Sequence, residues 1–249
     1  MSDPVEDGLK DVDLGQWLAA LADHVADAGL LRRIGTVQEV VGLTIMSQGP
    51  PAQVGESCYI RPAGDKGPVP AEVVGFRDRR VLLMPLGDIR GIQPGCQVVA
   101  TGRQLSVPVG SGLLGRVIDG FGRPLDGRGR LPDLSGRPLH SGAPRPMERA
   151  RFAEPMHVGI RSIDTLLTCA KGQRMGIFAG SGVGKSVLLG MVARNSTADV
   201  NVIALVGERG REVLDFVEGQ LQDALERSVV VVATADEPAL MRLHAGVAA

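Results

Sequence analysis

The chain has 249 residues with a formal net charge of −1, of which 44% are apolar, 22% charged and only 3% aromatic. This length and balance suit one large or two smaller folded domains and set intrinsic disorder aside. Near-neutral charge and scarce aromatics speak against a chain drawn as a whole to nucleic acid or acidic lipid.

Cys58, Cys96 and Cys169 are odd in number and widely spaced. They read as buried free thiols rather than a disulfide framework or a zinc ribbon. The four histidines show no metal-ligand spacing. The start MSDPVEDG has neither the basic nor the apolar part of a signal peptide, and no apolar run reaches the length of a membrane span. A cytoplasmic protein is expected.

Residues 1–33 form an acidic start. Seven acids (Asp3, Glu6, Asp7, Asp11, Asp13, Asp23 and Asp27) stand against one base, Lys10, in the first thirty residues. Leu14, Trp17, Leu18, Leu21 and Val25 recur at helical spacing and predict a short amphipathic helix. Two readings stand for it: a helix docked on its own domain, or a handle for a partner protein.

Residues 34–104 carry short β-type runs at 35–45, 57–60, 71–75, 80–84 and 97–100, split by the turn-forming stretches GPP, PAGDKGP and PGC. Many short strands with regular breakers predict a small β-barrel or sandwich. Residues 105–150 are rich in Gly, Pro and Arg and read as a connection of loops and crossings. Its arginines suggest an RNA contact or a solvated linker, and the lack of interleaved aromatics favours the linker.

From about residue 151 strands and helices alternate. The expected elements are a strand at 174–178, a helix at 186–194, a strand at 200–206, a helix at 211–222, a strand at 229–233 and a helix from Pro238 onward. Near-continuous apolar strands alternating with helices predict a parallel sheet covered on both faces.

The segment Ala179-Gly180-Ser181-Gly182-Val183-Gly184-Lys185-Ser186 falls between an expected strand and an expected helix, where a phosphate-binding loop belongs. Small residues let backbone N–H groups curve around an anion, and the following helix points its positive end at it. Lys185 is placed to reach the β- and γ-phosphates, and the Ser186 hydroxyl to ligate magnesium. Ala179 stands where this pattern usually has glycine, and serves there if its φ is negative.

The strand at 200–206 ends in Val206-Gly207-Glu208-Arg209, and ligands gather at the carboxyl ends of strands in open parallel sheets. Glu208 reads either as the carboxylate that orients and deprotonates an attacking water or as a solvent-facing loop charge. Arg209 reads as a phosphate contact or as a partner of Glu212. At the end of VVVVATAD, Asp236 reads as a magnesium ligand or as the cap of the next helix. The following Glu-Pro favours the cap.

Together, RFAEPMHVGIRSIDTLLTCAKGQRMGIFAGSGVGKSVLLGMVARN, VIALVGERGREVLDFVE and SVVVVATADEPALMR resemble the ATPases of flagellar and injectisome protein export. That family is related to the catalytic subunit of rotary ATP synthases. LLGRVIDGFGRPLDG is similar to the segment leading into its nucleotide domain. The resemblance covers roughly 34–249 and implies an α/β fold, a P-loop (RecA-like) parallel sheet with helices on both faces preceded by a small N-terminal β-barrel. It implies ATP and Mg2+ as ligands, with Lys185 and Ser186 in the phosphate and magnesium roles and Glu208 as catalytic base. It implies a homo-oligomer, a hexamer in the complete protein, meeting a stator-like regulator through the N-terminal helix. It also implies work with the export apparatus and exported proteins at the cytoplasmic face of the inner membrane, with no nucleic acid.

In that family the chain runs on past position 249, to a strand carrying the magnesium-orienting Asp, an arginine finger and a helical domain. The resemblance therefore implies a sheet incomplete at the C-terminus, an exposed edge, and slow hydrolysis by this chain alone. It also implies that Asp236 is not the magnesium-orienting residue. A rotary ATP synthase subunit, a non-catalytic nucleotide-binding assembly module and an RNA-dependent motor are the competing readings.

Overall fold

The computed structural model describes residues 33–249 except 65, 133, 141, 143 and 181, so the expected helix at 14–25 and Ser181 of the phosphate loop lie outside the described residues. The chain divides after Gly102 into two units, taken in turn below.

In the first unit, β1 (Ile34–Val41), β2 (Thr44–Gln48), β3 (Glu56–Arg61), β4 (Val69–Arg77), β5 (Arg80–Pro85) and β6 (Gln97–Gln104) close into a barrel in the order β1-β2-β5-β4-β3-β6. Strand periodicity sends alternate side chains inward. Val37, Ile45, Cys58, Ile60, Val73, Leu83 and Val98 fill the interior. The run expected as one strand at 35–45 is a hairpin. Val41 faces Thr44 across a two-residue turn with Gly42 at φ 58, a conformation glycine adopts without a Cβ clash. Glu56 is buried at the barrel wall, where its carboxylate accepts from Gln53 N (3.0 Å), Gly102 N (2.8 Å) and the Arg33 guanidinium (3.2 Å). These bonds tie the start of β3 to β6.

Cys58, two residues on, shares that inner face. Burial, and then the Glu56 carboxylate, push its thiol up to about 12. The thiol therefore stays protonated through the neutral range and is a poor nucleophile. We expect Cys58 of the native chain to resist iodoacetamide at neutral pH and to label once urea opens the barrel, read by peptide mass. Fast labelling without denaturant would contradict a closed barrel.

The second unit contains β7 (Ser106–Val109), β8 (Val117–Asp119), β9 (Ser135–Pro138), β10 (Pro155–Met156), α1 (Arg161–Leu166), β11 (Cys169–Ala170), α2 (Lys185–Asn195), β12 (Asn201–Val206), α3 (Gly210–Leu214), β13 (Ser228–Ala233) and α4 (Ala239–Ala248). α3 continues as a π-helical stretch, Asp215–Leu221, which ends at Gln222 (φ 46), and a 3₁₀ stretch, Gln222–Arg227, follows. The parallel sheet has the order β12-β13-β8. β13 is buried along its whole length, as its unbroken valines require. Val230 and Val232 pack with Ile203, Leu205, Phe216 and Leu221 on one face. Val229, Val231 and Ala233 pack with Leu113, Ile118 and Ala245 on the other. Helices thus cover both faces of the central strand.

Three expectations are corrected here. First, the segment read as loops and crossings contributes a sheet strand: Val117, Ile118 and Asp119 of β8 pair in parallel with Val230, Val231 and Val232. The short apolar run before DGFGRP carried that signal, but the neighbouring glycines outweighed it. Second, residues 174–178 form no strand, and Phe178 is 97% exposed. A strand is defined by ladder bonds to a neighbour, and no strand among the described residues pairs with this run. Third, Asp236 does not cap α4, whose N-cap is Pro238. A hydrogen bond with the Thr234 side chain holds the Asp236 carboxyl below its usual range. The anticipated open edge is present at β12, where Val202 and Val206 are exposed.

β8 is anchored by a partly buried ion pair. Arg116 meets Asp126 through Nε–Oδ2 at 2.6 Å and Nη2–Oδ1 at 3.0 Å, with the two side chains 11% and 7% exposed. Asp126 also accepts from the backbone N–H of Val117 and Arg128. Among the described residues, no helix is long and apolar enough to cross a membrane.

Candidate functional site

Within the loop 179–186 the positive backbone angles fall on Gly182 (φ 77) and Gly184 (φ 96). A Cβ would strain both positions. Ala179 is not among the non-glycine residues at positive φ, so the alanine in place of the usual first glycine costs nothing there. α2 starts at once with Lys185 and Ser186, and its first amides have no intrahelical partners. The loop therefore offers an anion both a helix N-terminus and a cation.

Glu208 arrives from the other side. Gly207 (φ 76) turns the chain off β12, its N–H donates to Ala233 O at 2.7 Å, and Ala235 N donates to Glu208 O at 3.1 Å. The parallel register of β12 and β13 thereby fixes the Glu208 backbone. Its Oε1 lies 3.7 Å from Lys185 Nζ, with side chains 32% and 53% exposed. Of the two readings of Glu208, the structure places it against the phosphate loop rather than alone in solvent. A cleft of about 620 Å³ is lined by Ala179, Gly180, Gly182, Gly184, Lys185 and Ser186 on one side and by Glu208, Glu212, Asp215, Phe216 and Gln220 on the other.

Arg209 and Val183 are not among the residues lining this cleft. Arg209 is 85% exposed with Nη1 3.7 Å from Glu212 Oε1, which matches the pairing alternative read from the sequence. Glu212, Asp215 and Gln220 were not singled out as cleft residues. Glu212 and Asp215, three residues apart in the helical stretch that starts at Gly210, lie along one helical face. That spacing was the available signal.

The donors that face Ser186 across the cleft are carboxylate oxygens, and a hard divalent cation prefers oxygen ligands. The lining therefore offers oxygen ligands to a hard cation, with the Ser186 hydroxyl the one set at the phosphate loop itself.

Comparison with known proteins places this geometry. The nucleotide-binding domain of the ATP synthase alpha/beta family matches residues 159–249, and the β-barrel domain of the same family matches residues 37–102. The chain belongs to the ATP synthase alpha/beta family. It is similar to the flagellum-specific ATP synthase of Bacillus subtilis, 53% identical over 228 residues, which are 91% of this chain and 52% of the relative. It is also similar to the type 3 secretion system ATPase of Xanthomonas euvesicatoria, 46% identical over 226 residues, covering 90% of this chain and 51% of the relative. Among solved structures it is similar to the assembled ATPase EscN of the enteropathogenic E. coli type III secretion system, with a TM-score of 0.77 and 41% identity. That match covers 86% of this chain and 51% of EscN. The chain spans about half the length of the curated relatives it matches. The two matched parts of the family correspond to the barrel and to the unit that carries the loop and Glu208.

Proposed function

We propose that this chain is the front half of a Mg2+-dependent ATPase that energises flagellar protein export. The observation that carries the reading is the 3.7 Å approach of Lys185 and Glu208 across the cleft, which sets a phosphate-binding cation beside a potential base. The relatives support the export branch, and the higher identity to the flagellum-specific enzyme favours the flagellum. Export through an injectisome is the second reading, favoured by the type 3 secretion ATPases at 44–46% identity.

In this reading the amides of 179–186 and the Lys185 ammonium hold the β- and γ-phosphates, and Ser186 holds magnesium. When bound, the metal neutralises charge on the β- and γ-oxygens. Glu208 orients the attacking water and accepts its proton at a carboxylate oxygen. Arg209, released from Glu212, contacts phosphate. The subunit assembles into a ring, a hexamer in the complete protein, at the cytoplasmic face of the membrane. EscN has been described assembled and in complex with its central stalk EscO, which supports an assembly of this kind here. The acidic N-terminal segment 1–33, through its amphipathic stretch, meets a stator-like regulator, and exported proteins are the cargo.

The test is equilibrium binding of fluorescent ATP with Mg2+ to this chain and to its Lys185→Ala variant. A charge-assisted hydrogen bond contributes about 1.5–3 kcal/mol, so affinity is expected to fall roughly 10- to 100-fold. No binding by the unsubstituted chain, or equal binding by the variant, would reject the nucleotide site.

A further inference from the structure

The cleft lies between α2 and the helical stretch 210–221, so its shape depends on how these two are held to one another. Gly190 of α2 faces Gln220, and a Cβ at position 190 would sit 2.7 Å from Gln220 Cβ and 3.1 Å from Gln220 O. The absence of a side chain at 190 permits this approach. Near the end of α2, Arg194 Nη1 donates to the Gln220 carbonyl. That carbonyl needs an outside partner because the stretch ends one residue later, before Gln222 at φ 46.

The reverse contact comes from Arg227, which follows the same helical stretch. Its Nη2 donates to Ala193 O (2.7 Å) and Arg194 O (3.0 Å), and its Nη1 donates to Ala198 O. These carbonyls include those left open at the C-terminal end of α2. Each helix therefore has its last carbonyls closed by an arginine tied to the other.

We infer that Arg194 and Arg227 form a reciprocal clasp that sets the spacing between Lys185 and Glu208, and so act as positioning residues for the terminal phosphate of the nucleotide. The inference rests on the nucleotide reading above. α2 carries Lys185 at its first residue, and the facing stretch starts two residues after Glu208. A shift of one helix along the other changes the gap that the γ-phosphate must fill. The backbone cradle for the inner phosphates, built within one short loop, is unaffected.

This predicts a change in discrimination, not only in affinity. The dissociation constants of methylanthraniloyl-ATP and methylanthraniloyl-ADP, with Mg2+, are measured on the full chain and on Arg194→Gln, Arg194→Lys and Gly190→Ala. Thermal melts verify that each variant is folded. The expected result is a shift of about fivefold or more in the ADP-to-ATP ratio for Arg194→Gln and for Gly190→Ala, and a ratio close to the unsubstituted one for Arg194→Lys, which keeps a donor. If Arg194→Gln does not fold, Gly190→Ala decides. A ratio that stays fixed in the folded variants, whether both affinities hold or both fall together, leaves the clasp a purely structural feature and overturns the inference. Failure of the unsubstituted chain to bind either nucleotide overturns the nucleotide reading, and the inference with it.

Discussion

In the complete protein, Glu208→Gln is expected to lower ATP hydrolysis by roughly 10²- to 10⁴-fold, the range set by loss of a positioned general base, while leaving ATP binding intact. Glutamine keeps the length and the hydrogen-bonding edge of glutamate but accepts no proton. It also removes one negative charge 3.7 Å from Lys185 Nζ. With that charge gone, the phosphates meet less repulsion, so binding is expected to hold or tighten slightly. The opposing structural effect is small, because the Glu208 backbone is held by Gly207 and Ala235 and not by its side chain. Single-turnover release of phosphate from radiolabelled ATP, beside fluorescent ATP binding, separates the two quantities. Hydrolysis at the unsubstituted rate would remove Glu208 from the role of base. Joint loss of binding and turnover would make it a ligand-holding group instead.

Asp126→Ala should be the most destabilising of the substitutions considered. Removing one member of a partly buried, bidentate ion pair leaves the other charge without its partner where water reaches it less freely than at the open surface. Here the Arg116 guanidinium would keep, among the described residues, its bond to Gly129 O, and the Val117 and Arg128 amides would lose an acceptor. The effect has a defined pH dependence. The Arg116 hydrogen bond is the main cause that holds the Asp126 carboxyl far below the usual carboxylate range. A depressed carboxyl stabilises the fold fully above its unfolded value, near pH 4, and that contribution fades as pH falls toward the folded value. Urea midpoints of the variant and the unsubstituted chain should therefore differ by a constant amount at about pH 5 and above, and converge in stronger acid. A gap that stays constant below about pH 4 would show that the pair is not the source.

The substituted positions differ in how far the sequence disclosed them. The phosphate loop was legible because its chemistry is local: glycines at 182 and 184 and Lys185 at the helix start are set by eight consecutive residues. β13 was legible because a strand buried on both faces is apolar throughout, and helix α2 because its apolar positions repeat at helical spacing. Gly42 was passed over because one glycine does not distinguish a hairpin from a continuous strand until Thr44 pairs back on Val41.

Other features depend on contacts between distant segments. β8 reads as a linker until β13 lies beside it, and residues 174–178 read as a strand although no described strand pairs with them. Arg116 and Asp126 are ordinary loop charges in the sequence and a partly buried, bidentate pair in the fold. Arg209 carried two readings in the sequence, and only the fold shows its Nη1 lying 3.7 Å from Glu212 Oε1. The sequence by itself determined the run of short strands of a barrel or sandwich, the alternating α/β unit, the anion-binding loop and the kinship with export ATPases, since each is written in short-range periodicity or a contiguous motif. Only the tertiary structure decided that Glu208 faces Lys185, that Glu212, Asp215 and Gln220 share their cleft, and that two arginines close each other's helices. Those distances are set by strand register and helix packing between segments that the chain separates by twenty residues or more.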